Sequence, residues 1–71
     1  MKTIPITNSS QITSIGYDAD RKIFEVTFKT GATYHYYDVS PELWEEAQKA
    51  ESVGKFVAAK IKPHSYKLIQ Y

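Results

Sequence analysis

Residues 22–36 read KIFEVTFKTGATYHY, and the pairing of the two halves of this stretch decides the fold. From Lys22 to Phe28 the large apolar groups Phe24, Val26 and Phe28 alternate with Ile23, Glu25 and Thr27, the period of a half-buried strand. A partner strand is expected over Thr33 to Val39. If Lys29-Thr30-Gly31 forms a three-residue loop with Gly31 left-handed, Phe28 faces Ala32, Val26 faces Tyr34 and Phe24 faces Tyr36. All the large groups then share one face. A two-residue Thr30-Gly31 loop instead sets Tyr34 and Tyr36 beside Glu25 and Thr27, splitting the apolar set across both faces, so the three-residue loop is expected.

Upstream, Gln11 to Tyr17 reads as the first strand. Ile12 and Ile15 break its alternation, and Gly16 is the expected place for a reconciling bulge. Asp18-Ala19-Asp20-Arg21 supplies the turn into the next strand. Residues 1–8 read as a flexible leader, leaving residues 9–71 as a single domain without repeat or linker.

Downstream, Ser40-Pro41-Glu42 starts a helix, with Ser40 as N-cap, Pro41 at N1 and Val39 and Trp44 at the two hydrophobic-staple positions. Its inward stripe is Leu43, Ala47 and Ala50. Ser52 starts a second helix whose Val53, Phe56, Val57 and Ile61 form a buried stripe and which Pro63 ends. Tyr66, Leu68, Ile69 and Tyr71 give the tail enough apolar material to dock as an edge strand or lie against the core. The expected class is α+β: a three-stranded antiparallel meander with two C-terminal helices packed on one face. Its predicted core is Phe24, Val26, Phe28, Tyr34, Tyr36, Leu43, Trp44, Phe56, Val57 and Ile61.

The totals narrow the function. At 71 residues with ten aromatics, 42% hydrophobic and 24% charged, the chain is one globular domain near the lower size limit for independent folding. A deep, water-excluded active site is hard to build at this size. The chain holds no cysteine, so a disulfide, a Cys-ligated metal and a thiol nucleophile are all ruled out. The N-terminus lacks the apolar run of a signal peptide, and no stretch is long and apolar enough to cross a membrane, so the expected compartment is the cytoplasm. His35 and His64 have no partners at metal-ligand spacing, the three glycines stand alone, and the serines lack a base. No metal, cofactor or catalytic residue is expected.

The net charge of +1 conceals an asymmetry: residues 1–17 carry +1, residues 18–51 carry −4 and residues 52–71 carry +4. The basic C-terminal third holds Lys55, Lys60, Lys62 and Lys67 with no acid, a possible anion-facing surface. Ser52-Val53-Gly54-Lys55 breaks two helix rules, placing a lysine in the first turn and a glycine at N2. Both choices make sense if an anion receives the backbone amides of residues 53 to 55, with Gly54 permitting close approach and Lys60 and Lys62 extending the field. An ordinary Ser52 cap explains the same residues without a ligand. Separately, His35 and Tyr37 are expected on the sheet face away from the helices, where rings can stack on unpaired bases, although Glu25 lies opposite His35.

Several of these residues, in order, bring a family to view. Ser9-Ser10, Ile15-Gly16-Tyr17-Asp18, Phe28 with Gly31, Tyr34-His35-Tyr36, Val39 with Pro41, Ser52 with Gly54 and Phe56, then Ile61 and Tyr66 together make the chain resemble the KTSC domain. That small module is named after the C-terminus of certain lysyl-tRNA synthetases and also occurs as free-standing bacterial or phage proteins. The resemblance covers about residues 9–69. The family's molecular function is unestablished, and what the resemblance implies is RNA binding, suggested by the synthetase setting. Taken with the residues, the expectation is a small non-catalytic interaction module with RNA as the ligand, and a protein partner at an uncovered sheet edge or apolar tail surface as the alternative. Where the family pattern has an aromatic-Asn pair and arginines in the second helix, this chain has Val57-Ala58 and only lysines, which lack the bidentate geometry of arginine.

Overall fold

The computed structural model describes residues 2–70. Its elements are β1 (Lys2–Pro5), β2 (Ile12–Asp18), β3 (Ile23–Phe28), β4 (Thr33–Tyr36), α1 (Pro41–Lys49), α2 (Val53–Phe56) and β5 (Tyr66–Gln70). A π-helical turn over Val57–Ile61 continues α2. The strands form one antiparallel sheet in the order β1-β2-β3-β4-β5, so the class is α+β as expected, but with five strands rather than three.

The two additional strands are the edges. β1 lies within the stretch read as a flexible leader, pairing Ile4 with Ile15 and Pro5 with Ser14. Pro5 costs little there, because an edge strand tolerates a residue with no ladder donor. The alternation of Ile4 and Ile6 was the available signal, and both side chains pack against the core. β5 takes the edge-strand option that the tail offered, pairing Tyr66 with Tyr36 and Leu68 with Tyr34.

In the centre the pairing follows the hairpin reasoning. Phe24 opposes Tyr36, Val26 opposes Tyr34, and Gly31 is left-handed at φ 94°. The Phe28 amide donates to the Ala32 carbonyl at 2.8 Å, closing the three-residue loop. The bulge in β2 falls between Ile12 and Ser14, not at Gly16. The extra residue must lie between Ile12 and Ile15 if both are to face the core, and Gly16 lies beyond them. Two strands are shorter than expected. Lys22 and Asp38 adopt left-handed conformations, φ 56° and 57°, so β3 starts at Ile23 and β4 stops at Tyr36.

Ser40 holds the N-cap position of α1, but its side chain makes no capping hydrogen bond. Its carbonyl instead accepts from the amides of Leu43 and Trp44. The second helix is not regular: the Lys62 amide reaches back five residues to the Val57 carbonyl at 2.9 Å. Buried positions four apart in an α-helix drift by about 40° per step, and the wider turn after Val57 counters that drift and returns Ile61 to the stripe. Val53, Val57 and Ile61 are all buried.

The core lies between the helices and the β2–β3 centre of the sheet. Phe24, Val26, Tyr36, Trp44, Val57 and Ile61 are buried as predicted, together with Ile12, Ile15, Tyr17, Val39, Ala47 and Val53. Phe28, Tyr34, Leu43 and Phe56, also predicted as core, are only partly buried and pack against its edge. No helix among the described residues is long and apolar enough to cross a membrane.

Candidate functional site

The residues singled out from sequence fall in three places. Ser52, Gly54 and Lys55 are brought together in a polar recess of about 490 Å³ with the segment Asn8–Gln11. The chain itself already occupies much of what an anion would use. The Val53 amide donates to Asn8 Oδ1 at 3.4 Å and the Lys55 amide to Ser52 Oγ at 3.4 Å. A Cβ on Gly54 would stand 3.1 Å from Ser9 Oγ, so the missing side chain makes room for a serine of the same chain. Ser9 Oγ in turn accepts from the amides of Gln11 and Ile12, and Asn8 Nδ2 donates to the Ala50 carbonyl at 3.2 Å. No periodic pattern in the sequence predicts this Asn8-Ser9 clip. Its sequence signal is the cluster of short polar side chains that bind backbone locally.

His35 points, as its strand position requires, to the face opposite Tyr34 and Tyr36. Its Nε2 lies 2.8 Å from Glu25 Oε2, a pairing fixed by the register that sets Glu25 against His35. A carboxylate in that position opposes an approaching phosphate. Tyr37 lies one residue past the end of β4 instead of on an open strand face, and its side chain is half-buried. Its backbone is held at both ends: the amide donates to the Ser65 carbonyl at 2.8 Å, and its carbonyl lies 3.1 Å from His64 Nδ1.

Lys60 is exposed on the π-helical turn, while Lys62 lines a different recess. This cleft of about 470 Å³ is built on the same sheet face as the helices, over β3, β4 and β5, where Phe28, Tyr34, Tyr36 and Tyr66 gather beside Thr30 and Ala32. The register dictates the gathering: Tyr66 is set beside Tyr36, and Tyr34 lies one pleat away on the same face. Ring centroids are 5.7 Å apart for Tyr36 and Tyr66, 5.8 Å for Tyr34 and Tyr66, and 6.4 Å for Tyr34 and Tyr36. Phe28 stands edge-on to Tyr34 at 5.7 Å. Exposure grades across the group, from 5% for Tyr36 to 62% for Tyr66.

Burial, followed by the neighbouring Tyr34 and Tyr66, holds the Tyr36 phenol above its ordinary range. Among the described residues Lys62 is the one charged group in the lining. From the sequence Tyr34 and Tyr36 are expected in the core with no link to Tyr66, because the β4–β5 pairing that unites them spans a helical excursion of some thirty residues.

The family model of the KTSC domain matches residues 8–66, beginning at the Asn8 of the clip and ending at the Tyr66 of the cleft. A protein of Tsukamurella paurometabola is 46% identical over 55 residues, which cover 78% of this chain and 82% of that one. A Stutzerimonas stutzeri protein described as uncharacterized is 37% identical over 67 residues, 94% of this chain and 93% of its own. Among solved structures, the crystal structure of a KTSC domain protein from Yersinia pestis superimposes with a TM-score of 0.89 at 33% identity, covering 96% of both chains. Sequence, fold and span agree: the chain belongs to the KTSC domain family.

Proposed function

We propose that this protein is a small non-catalytic interaction module whose ligand is RNA, held at the aromatic cleft of Phe28, Tyr34, Tyr36 and Tyr66. The observation that supports the reading is the combination of the exposed Tyr66 and half-buried Tyr34 rings with a lysine and, among the described residues, no acid in one recess. Rings of this kind stack on unpaired bases whatever their sequence, and a lysine at the rim meets the phosphate. The cleft suits this role better than the opposite face, where His35 is engaged by Glu25.

A second reading, a protein-interaction module, draws support from β5. It is an edge strand that exposes Tyr66 and Ile69, and an edge can accept a strand from a partner. Titration with short single-stranded RNA at two ionic strengths separates the readings. RNA affinity should fall steeply as salt rises and should weaken by roughly 1–3 kcal/mol in Tyr66→Ala, with His35→Ala unchanged. Failure of RNA to bind at low salt, or binding that His35→Ala weakens and Tyr66→Ala does not, overturns the cleft as the RNA site.

A further inference from the structure

We infer that the cleft receives a single nucleotide unit of an unpaired RNA strand, its base stacked on the outward face of Tyr66 beside Tyr34 and its phosphate at Lys62. The inference rests on the RNA reading above and adds to it the size and polarity of what enters. Ring geometry sets the number of bases. The centroid separations of 5.7 to 6.4 Å are those of rings already in contact, so no base passes between two of them. A base must therefore lie on an outward ring face. Tyr36, only 5% exposed, offers no such face, and Phe28 is turned edge-on against Tyr34. Tyr66 and the half-buried Tyr34 remain, and their planes are inclined at 58°, so a flat base stacks on the exposed Tyr66 ring and meets Tyr34 at its edge: room for one base and not a row.

Length agrees with that count. The β4 wall runs from Ala32 to Tyr36, about 13 Å at ordinary strand rise, with Thr30 of the β3–β4 turn also in the lining. The volume of about 470 Å³ lies within the range of pockets that enclose a small molecule, roughly 300–1,000 Å³. A run of stacked bases would have to leave the recess.

Polarity selects the occupant. Among the described residues the hydroxyls of Tyr34, Tyr36 and Tyr66 make no hydrogen bond within the chain, whereas the Tyr17 hydroxyl donates to the Val39 carbonyl. Three phenolic groups and one ammonium, with no carboxylate among the described residues, favour a ligand rich in acceptors and negative in charge. Tyrosine clusters can also cage organic cations, but here Lys62 would repel one.

The test is a nuclear magnetic resonance titration of the whole chain with adenosine monophosphate, ribose 5-phosphate and a single-stranded pentanucleotide RNA. Adenosine monophosphate should shift the Tyr34, Tyr66 and Lys62 resonances saturably, and ribose 5-phosphate should bind at least about tenfold more weakly because it lacks the stacking ring. Tyr66→Ala should weaken the mononucleotide about tenfold or more. Lys62→Ala should weaken the mononucleotide while leaving adenosine, which has no phosphate, unchanged. If the pentanucleotide shifts the cleft and the mononucleotide does not, the single-unit inference falls and the RNA reading stands. Binding of the mononucleotide without the RNA overturns the RNA strand as its source. Failure of both ligands removes both readings.

Discussion

Tyr17 and Trp44 stack with ring centroids 5.6 Å apart and planes within 13° of parallel, which fixes α1 over the β2–β3 half of the sheet. Phe24 meets the same indole edge-on at 5.8 Å, so a single helical side chain is gripped by two adjacent strands. With α1 anchored there, Tyr34 of β4 and Tyr66 of β5 are left less covered, and the cleft is the part of the core face that remains.

Burial therefore predicts opposite outcomes for two aromatic deletions. Phe24→Ala removes a fully buried ring and should cost about 3–5 kcal/mol, comparable to the roughly 4–10 kcal/mol expected for the whole domain. Phe28→Ala removes a half-buried ring at the cleft wall and should retain a cooperative melt. Thermal denaturation of the two variants checks this ranking, and an equal loss of stability would place Phe28 in the core.

The hairpin that governs this arrangement was legible because three signals agreed: alternation in Phe24, Val26 and Phe28, a glycine where the loop turns left-handed, and tyrosines spaced to share one face. The edges were less legible. β1 is four residues long with a proline at its end, and β5 finds β4 only across the helices, so neither carries a local pattern strong enough to fix its pairing. The cleft was hidden for the same reason, since its rings come from positions 28, 34, 36 and 66. At the second helix, the rule-breaking at Gly54 was visible, but the group it accommodates, Ser9, was not, because contacts between distant short polar residues leave no periodic trace.

Gly31 offers a direct check on the loop. At φ 94° a Cβ is disfavoured, so Gly31→Ala should destabilise by about 1–2 kcal/mol. Lys22, at φ 56°, already carries a side chain in the left-handed region, and Lys22→Gly should cost far less. Chemical denaturation of the pair, at unchanged slope, measures the difference.

Alkaline stability depends on two phenols. Burial, then the charges of Glu42 and Asp18, raises the Tyr17 phenol above its ordinary value of 10.0; burial, then Tyr34 and Tyr66, does the same for Tyr36. Both groups hold their protons more tightly folded than unfolded. The stability linked to them is fully present below the unfolded value and is lost as pH rises through the folded ones. The melting temperature should therefore be level through neutral pH and fall from about pH 10 upward. Tyr17→Phe forfeits the hydrogen bond to the Val39 carbonyl and should lower the melting point at neutral pH, yet its decline at high pH should be shallower.

The contact between Ser9 and Gly54 makes a sharper prediction, because propensity and packing oppose each other. Replacing a helical glycine by alanine ordinarily gains about 1 kcal/mol. Here the new Cβ would lie 3.1 Å from Ser9 Oγ, and that hydroxyl has little freedom to retreat while it accepts from the amides of Gln11 and Ile12. Gly54→Ala alone should therefore be neutral or destabilising. Ser9→Ala removes the oxygen and leaves the nearest Ser9 atom at 3.9 Å, an ordinary contact, so in that background Gly54→Ala should recover the full gain of about 1 kcal/mol. Ser9→Ala itself should be destabilising, since two amides lose their acceptor. A double-mutant cycle by urea denaturation reads the coupling directly. If Gly54→Ala stabilises equally with and without Ser9, the glycine is not held in place by the clip.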